Sequence, residues 1–384
     1  MKSVLPERKT LHPQDIERRE LPPDAGRAVR ELAREICTTV HRSPRGAAPV
    51  TMTLTDPALI ASIEERAREL PEEVRLAMRP PAGPTGATIV SRLPLTDDEF
   101  GPTPPSWREA ARWSGDPQRG NSFQLDVVML LLARCAGEPF GWYGQQDGRL
   151  VNNIVPTPGH EHEQSGASSK TLLSPHTEDA FHPDRANLLM LACLRNPDLV
   201  GTTVSSVRQV ELTEDEHRLL STPTLPILPD VSYGDGHERF TPPPLPTIWD
   251  AAESPSGAMN PTLRYDPAYT PLELADDEFR RAYARLATEL ERVCHTAALA
   301  PGELLLVDND VAVHGRVPFT ARYDGTDRWL KRVNIRLPER RRRTAEADEN
   351  GYGQRTVAPF RMGTGRADAE RDTTPDERGT VEHS

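Results

Sequence analysis

Two different hydrophobic periods run along this chain, and they predict both helices and strands. A period of about 3.6 residues predicts three amphipathic helices, at residues 24–40, 122–137 and 276–299. Short apolar or alternating runs predict strands at residues 187–194, 202–207, 302–310 and 328–337. The sequence therefore predicts a protein that mixes helices with many short strands.

The strand predicted at 328–337 has one apolar face and one polar face. Its alternate positions are Trp329, Val333, Ile335 and Leu337 on one side, and Arg328, Arg332, Asn334 and Arg336 on the other. Successive side chains of a strand point to opposite faces, so the first set is expected in a core. The second set is then available to a functional site.

The predicted elements do not alternate regularly between strand and helix, and we find no glycine-rich phosphate loop. Both observations argue against a doubly wound nucleotide-binding fold. A largely antiparallel sheet sandwich with packed helices, of the α+β class, is the expected architecture.

Three segments lack sustained periodicity and set the expected domain boundaries. Residues 1–23 and 339–384 are polar or charged, and we expect a flexible N-terminus and a charged, mobile C-terminal tail. Residues 24–338 are expected to form a single domain. Within that domain, residues 222–248 are rich in proline and predict a long loop, which is either a mobile linker or a lid over a site.

The charge of the chain restricts its partners. Of 384 residues, 58 are acidic and 46 are Lys or Arg, which gives a net charge of -12. Phosphate recognition needs clustered positive charge, so neither nucleic acid nor an anionic membrane is an expected partner. Small molecules fit better, while the residues indicate no oligomeric state. Because neither a membrane-spanning run nor the apolar stretch of a secretory signal is seen, we expect a cytoplasmic protein.

The four cysteines are far apart in the sequence and form no CxxC pair. They are expected to be buried thiols rather than ligands of zinc or redox groups.

The stretch SPHTEDAFHPDR, residues 174–185, contains a possible half of a metal site. His176 and Glu178 are two positions apart, so on an extended segment both side chains point to the same side. A second histidine would complete the two-histidine, one-carboxylate set that binds Fe(II) and leaves coordination positions open. His314, in VDNDVAVHGRVPF, is the best candidate because it follows an apolar strand. A structural histidine beside a surface glutamate is the alternative interpretation of the tripeptide alone.

Arg328 begins the strand with the polar face, fourteen residues after His314 in the sequence. A guanidinium there is suited to a bidentate pair with a carboxylate of a metal-bound ligand.

Two longer stretches resemble a known family. They are GQQDGRLVNNIVPTPGHEHEQSGASSKTLLSPHTEDAFHPDRANLLMLACLRNPD, which is followed by GTTVSSV, and DNDVAVHGRVPFTARYDGTDRWLKRVNIRL. Both resemble the clavaminate synthase-like branch of the Fe(II)/2-oxoglutarate-dependent oxygenases. The likeness is greatest to hydroxylases of free arginine, lysine and asparagine, and it covers about residues 120–338.

The resemblance implies a fold, a cofactor set and ligands. The family fold is a double-stranded β-helix, or jelly roll, with buttressing helices. The cofactors would be Fe(II), 2-oxoglutarate as cosubstrate and O2, with His176, Glu178 and His314 as iron ligands. Arg328 resembles the residue that binds the distal carboxylate of 2-oxoglutarate. Thr203 resembles its hydroxyl partner, with Thr202 as the substitute.

The resemblance also implies three substrate-binding residues. Gln145 corresponds to a glutamine that contacts the α-amino group, although the adjacent Gln146 leaves the register open. Arg332 is placed to pair with the α-carboxylate. Asp266 occupies the position of an acid that binds a guanidinium, but the second acid of this pattern is Ala268 here. A role in an Asp-Pro turn is the alternative for Asp266.

The implied reaction is hydroxylation of an unactivated C–H bond, at C3 or C4 of a free L-amino acid, in specialised metabolism such as antibiotic biosynthesis. Arginine or a related cationic or polar amino acid is the expected small-molecule partner. Desaturation or oxidative cyclisation on the same scaffold is one alternative. A metal-dependent binding protein without turnover is another, although it would not need Arg328.

Overall fold

The computed structural model describes residues 16–42, 54–114, 120–234, 237–241, 243–251, 260–340, 346 and 349–360. Its helices are Pro23–Arg42 (α1), Pro57–Arg66 (α2), Glu72–Ala77 (α3), Trp107–Ser114 (α4), Gly120–Ala136 (α5), Glu214–Ser221 (α6) and Asp277–Arg292 (α7). Its strands are Glu17–Glu20 (β1), Ala87–Ser91 (β2), Glu138–Trp142 (β3), Asn152–Ile154 (β4), Leu173–His176 (β5), Leu188–Arg195 (β6), Thr202–Ser206 (β7), Ile248–Ala251 (β8), Asn260–Leu263 (β9), His295–Ala297 (β10), Leu304–Asp308 (β11), Ala312–Arg316 (β12), Trp329–Arg336 (β13) and Thr356–Val357 (β14).

Two sheets carry most of the strands. The larger sheet has the order β1-β2-β11-β6-β13-β3-β14, and β4 also pairs with β13. The smaller sheet has the order β10-β7-β12-β5, while β8 and β9 form a separate hairpin. Among the described pairs, only β1 with β2 is parallel. The expected antiparallel arrangement with packed helices is therefore present.

The larger sheet lies between two apolar layers, and β6 shows why its sequence is apolar throughout. Leu188, Met190, Ala192 and Leu194 pack in one core with helices α1, α2 and α5. Leu189, Leu191 and Cys193 pack in a second core with residues of β12 and α7. A strand buried on both faces needs no polar alternation. The functional side chains project into the space between the two sheets.

A buried ion cluster fastens α5 to the centre of the larger sheet. Asp126 of α5 pairs with Lys331 of β13, and its second carboxylate oxygen lies 3.2 Å from Arg149 Nη2. All three side chains are fully buried. Lys331 belongs to the helix-facing side of β13, so this charge breaks the otherwise apolar face predicted for 328–337. An ion pair without water costs desolvation energy, which only mutual pairing offsets.

Strands β1 and β14 lie within the two segments that were expected to be flexible or mobile. Strand β1 lies inside the segment expected to be flexible, pairs with β2, and is followed by the fully buried Leu21. Strand β14 lies inside the expected C-terminal tail and pairs with β3, while Tyr352 and Phe360 are 4 % and 3 % exposed. Apolar side chains inside polar segments supply the burial that fixes both strands. The expected boundaries at 1–23 and 339–384 stay predictions, and residues 1–15, 341–345, 347–348 and 361–384 lie outside the described ranges.

The helix predicted at 276–299 is shorter in the structure. It ends at Arg292, and His295–Ala297 instead form β10 against β7. Within the residues described, no helix has the length and apolar character needed to cross a membrane.

Candidate metal and substrate site

His176 and His314 are brought together by the pairing of two neighbouring strands of the smaller sheet. They lie directly opposite each other in the antiparallel pair β5 and β12. Directly opposed residues of such a pair project to the same face. Their ring centroids are 4.5 Å apart, with the planes inclined by 45°. Distant parts of the chain thus place two imidazoles side by side.

Glu178 follows the end of β5 and is positioned through its backbone. Its N–H donates to Asn309 Oδ1 at 2.8 Å, and Asn309 Nδ2 donates back to the Glu178 carbonyl at 3.1 Å. Asn309 is fully buried in the turn between β11 and β12. Sequence reasoning missed this residue. Its only signal was a polar DND triplet between two apolar strands.

The three side chains form a ligand set that fits a metal ion. Each offers one ligand atom, and these atoms all lie within 4.8 Å of one another. Glu178 Oε2 lies 3.7 Å from His176 Nε2 and 3.3 Å from His314 Nε2. His176 Nδ1 donates to the Ser174 carbonyl at 2.8 Å, which leaves the Nε2 lone pair directed at the site. Two imidazole nitrogens and one carboxylate oxygen are the donor set suited to Fe(II) with open positions.

The electrostatics of the three groups are coupled. Burial opposes a charge on His176, but the Glu178 carboxylate and Asp266 outweigh it and raise the pKa of His176 to about 9. Burial, reinforced by His176, lowers the pKa of His314. Burial also disfavours the carboxylate of Glu178, yet Arg332 and the two histidines hold its pKa well below the usual range. A metal needs both imidazoles neutral, so its binding releases the His176 proton.

Arg328 lines the cavity and bonds to Thr202, which was the expected substitute for Thr203. Arg328 Nη2 donates to Thr202 Oγ1 at 2.8 Å, whereas the buried Thr203 Oγ1 has no hydrogen-bond partner among the described residues. Adjacent residues of β7 point to opposite faces, so only one of the two threonines can reach Arg328. In this structure the hydroxyl next to the Arg328 guanidinium is therefore that of Thr202.

The Arg328 guanidinium is buried with unused binding capacity. Within the described ranges no carboxylate is among the groups that shift its pKa, and its Nε atom has no hydrogen-bond partner. Burial, and then the neighbouring Arg316, lowers the pKa of Arg328 to about 10. A buried cation without an anion is costly, so a carboxylate ligand would stabilise this position. The residues fit the distal carboxylate of 2-oxoglutarate.

Arg332 and Gln145 meet each other and the metal-ligand set. Arg332 Nη1 forms an ion pair with Glu178 Oε1, and Arg332 Nη2 donates to Gln145 Oε1 at 2.7 Å. Asn152 Oδ1 accepts a further bond from Nη2 at 3.3 Å. Gln145 Nε2 donates to Ser232 Oγ of the proline-rich segment at 3.4 Å. The structure thus gathers a cation and an amide beside the metal-ligand set.

Asp266 caps a turn, which agrees with the alternative interpretation of this residue. Its Oδ1 accepts a bond from the Ala268 N–H at 3.1 Å, and burial raises its pKa to about 6. Sequence reasoning missed a second acid, Asp230, which lines the cavity. Burial also raises the pKa of Asp230. No periodicity marks residues 222–248, so only the folded chain reveals this carboxylate.

His182 lies behind the site and is directed away from the metal-ligand set. Its Nδ1 accepts from the Asp184 N–H at 2.9 Å, and its Nε2 donates to the Gln354 carbonyl at 3.0 Å. Burial lowers its pKa to about 4, so the ring is neutral. It fastens the segment before β14 to the loop after Glu178.

The three metal-ligand side chains line one cavity of about 390 Å3. Its polar lining includes Gln145, His176, Asp230, Arg316, Arg328 and Arg332. A cavity of this size, with a ligand set on one wall and cations and acids on others, accommodates small polar molecules.

Known proteins share both sequence and fold with this chain. The family described as "Taurine catabolism dioxygenase TauD, TfdA family" matches residues 136–334. Enduracididine beta-hydroxylase of Streptomyces hygroscopicus is 36 % identical over 298 residues, which cover 73 % of this chain and 85 % of that protein. L-ornithine/L-arginine 3-hydroxylase of Catenulispora acidiphila is 34 % identical over 270 residues, covering 66 % and 77 %.

A solved structure also resembles this chain in fold and sequence. The crystal structure of the non-heme iron oxygenase OrfP in complex with Fe and alpha-ketoglutaric acid superposes with a TM-score of 0.65 and 35 % identity, and covers 83 % of this chain and 94 % of that chain. Matched sequence, shared fold and a ligand set suited to Fe(II) all point to one family. This chain belongs to the TauD, TfdA family and is an Fe(II)/2-oxoglutarate-dependent dioxygenase.

Proposed function

We propose that this enzyme hydroxylates an unactivated C–H bond, at C3 or C4, of a free L-amino acid with a cationic side chain, arginine or a close relative. The observation that carries the proposal is a single cavity that joins the metal-ligand set to buried cations and to the acid Asp230, with Asp266 close enough to interact with Asp230. The cations suit the carboxylates of 2-oxoglutarate and of an amino acid. The acids suit a positive side chain.

His176, Glu178 and His314 would hold Fe(II). With 2-oxoglutarate and O2, the bound iron supplies the oxidant that replaces hydrogen by hydroxyl, and succinate and CO2 are the co-products. Asn309 holds the backbone of Glu178, and Ser174 fixes the His176 ring, so the ligand atoms are oriented before the metal binds.

Arg328 and Thr202 would bind the distal carboxylate of 2-oxoglutarate. The guanidinium is buried, already bonded to the hydroxyl, and retains an unpaired Nε. A planar guanidinium binds a carboxylate through two parallel N–H bonds, which fixes its direction as well as its position.

Arg332 and Gln145 would hold the two backbone ends of the amino acid. The free α-carboxylate would pair with Arg332, and the α-amino group would donate to Gln145 Oε1. Both protein groups already meet at 2.7 Å, so one small zwitterion can contact them together. A site that binds both the free α-carboxylate and the α-amino group favours a free amino acid over one attached through its carboxyl group.

Asp230 and Asp266 would face the side chain of the substrate. Burial raises the pKa of both acids, and repulsion from Asp230 raises that of Asp266 further. A guanidinium or ammonium between them would relieve both the repulsion and the burial cost. The name of L-ornithine/L-arginine 3-hydroxylase, a relative, supports the same side-chain class.

Several wider features fit this proposal. We infer that the two facing sheets form the double-stranded β-helix of the family, and that one domain extends from β1 to β14. Residues 222–248 would cover the cavity and exclude water. A small-molecule partner fits the net charge of -12 better than nucleic acid or an anionic membrane does. The cosubstrate is a metabolite of the cell interior, which supports a cytoplasmic location.

The proposal is tested by a succinate-release screen over free amino acids, with mass analysis of each product. We expect amino-acid-dependent succinate with arginine or a cationic relative, and a product heavier by one oxygen atom. A product lighter by two hydrogens would replace hydroxylation by desaturation or cyclisation. Succinate release that no free amino acid stimulates would contradict the proposed substrate class.

A further inference from the structure

Residues 222–234, which we call the covering segment, contact the site through one buried tyrosine. Tyr233 is 6 % exposed, whereas Val231, two residues earlier in the same short turn, is 58 % exposed. The Tyr233 ring packs edge-on against Phe181, with centroids 4.8 Å apart, and against Trp142 at 6.1 Å. A Cβ atom at Gly144 would lie only 3.1 Å from its ring, so the pocket closes tightly around it.

The hydroxyl of Tyr233 reaches the turn that carries the metal-ligand carboxylate. It donates to Asp179 Oδ1 at 2.5 Å, and Asp179 immediately follows Glu178 in the chain. The other oxygen, Oδ2, accepts from Trp142 Nε1 at 2.7 Å and from Asn334 Nδ2 at 3.4 Å. Donors from three different parts of the fold therefore converge on this carboxylate.

The backbone of Asp179 has a strained conformation, which the surrounding hydrogen bonds stabilise. Its φ is 53°, in the left-handed region that side chains other than glycine adopt at a cost. Asp and Asn tolerate this conformation better than most residues. The three hydrogen bonds on its carboxylate offset the cost and fix the direction of the chain just after Glu178.

The same turn of the covering segment also reaches the groups proposed to bind the amino acid. Ser232 Oγ accepts from Gln145 Nε2, and Asp230 lines the cavity. Residues 230 to 233 thus meet the substrate pocket at one end and the Glu178 turn at the other. The hydrogen bond from Tyr233 to Asp179 directly connects residues 230 to 233 with the Glu178 turn.

We propose that Tyr233 is a positioning residue whose hydroxyl, bonded to Asp179, ties closure of the covering segment to the orientation of the turn that carries Glu178. This inference rests on the proposed function, because it assigns the covering segment to an amino-acid pocket. When the segment closes on the substrate, the bond holds the Glu178 turn in place. When the bond is absent, the segment and the turn move independently.

Hydrogen exchange on the full chain tests the connection without catalysis. Tyr233→Phe retains the ring and removes only the hydroxyl. We expect faster amide exchange, by about tenfold, both in peptides covering 228–234 and in peptides covering 177–182, because one buried hydrogen bond to a carboxyl group is lost. Faster exchange in the covering segment alone would overturn the proposal, as would no change in either peptide.

Tyr269→Phe is the matched control, because the Tyr269 hydroxyl accepts from the Val231 N–H of the same segment at 3.4 Å. We expect this variant to leave exchange at 177–182 unchanged. Equal increases in amide exchange at 177–182 in the two variants would indicate a general destabilisation of the covering segment. That result would overturn a specific connection through Asp179.

Turnover supplies the second readout. With the amino acid identified by the screen, Tyr233→Phe is expected to raise the ratio of succinate to hydroxylated product and the KM for the amino acid, with the KM for 2-oxoglutarate within about twofold of the wild type. An unchanged ratio would overturn the proposed coupling. A wild-type enzyme that hydroxylates no amino acid would refute the proposed function, while the exchange experiment would still decide the connection.

Discussion

Substitutions at Thr202, Thr203 and Arg328 test how the cosubstrate is recognised. Arg328 is buried, bonds to Thr202 at 2.8 Å and has no carboxylate partner among the residues that the structure describes. Arg328→Lys keeps the positive charge but removes the planar pair of N–H donors. The loss of one hydrogen bond to a charged group costs about 1.5–3 kcal/mol. Since about 1.4 kcal/mol corresponds to a factor of ten, the KM for 2-oxoglutarate should rise roughly 10- to 100-fold.

The two threonines provide the matched comparison. Thr202→Val removes the hydroxyl that orients Arg328 and costs about 1 kcal/mol, so the KM for 2-oxoglutarate should rise roughly fivefold. Thr203→Val removes a hydroxyl that does not reach Arg328, and should leave this KM within about twofold of the wild type.

Initial rates of succinate formation, at saturating amino acid and varied 2-oxoglutarate, measure all three variants. The KM for the amino acid serves as the internal control and should change little. A larger effect from Thr203→Val than from Thr202→Val would refute the reasoning about strand β7. An Arg328→Lys enzyme with a normal KM for 2-oxoglutarate would refute the assignment of Arg328.

Three further predictions concern stability, specificity and metal binding. Asp126→Asn should lower the free energy of unfolding by about 3–5 kcal/mol, because it leaves Lys331 and Arg149 buried beside a neutral amide; a loss below about 1 kcal/mol in denaturant unfolding would contradict this. Asp230→Asn should raise the KM for a cationic amino acid about tenfold and leave that for 2-oxoglutarate unchanged, whereas parallel changes in both would exclude a side-chain role. Because the pKa of His176 is raised to about 9, protons compete with the metal below that pH. Anaerobic Co(II) affinity should therefore increase from neutral pH to about pH 9, and a constant affinity over this range would count against the ligand assignment.

The sequence predicts that His176, Glu178 and His314 lie close together, because the spacing of these residues has a local cause. His176 and Glu178 are two positions apart on an extended segment, and His314 follows a continuous apolar run that is typical of a buried strand. The alternation of apolar and polar residues at 328–337 likewise places Arg328 and Arg332 on the face opposite the core. Such patterns follow from the geometry of a single strand.

Other features depend on contacts between distant segments and are not predictable in this way. The choice between Thr202 and Thr203 depends on the register of β7 against β12, where Thr203 lies opposite Gly315. Strand β14 pairs with β3, a distant segment of the chain, and its two residues alone form too short a pattern to predict a strand. Asp230 lies in a proline-rich segment whose path is set by packing on the cavity rather than by a period.

The central claim is that His176, Glu178 and His314 together bind a ferrous ion that accepts 2-oxoglutarate. Anaerobic addition of Fe(II) and 2-oxoglutarate, followed by visible absorption, tests it most directly. The wild-type enzyme should develop a weak charge-transfer band that saturates at one iron per chain, and His314→Ala should abolish it. A band of full intensity in His314→Ala, or none in the wild type, would contradict the account.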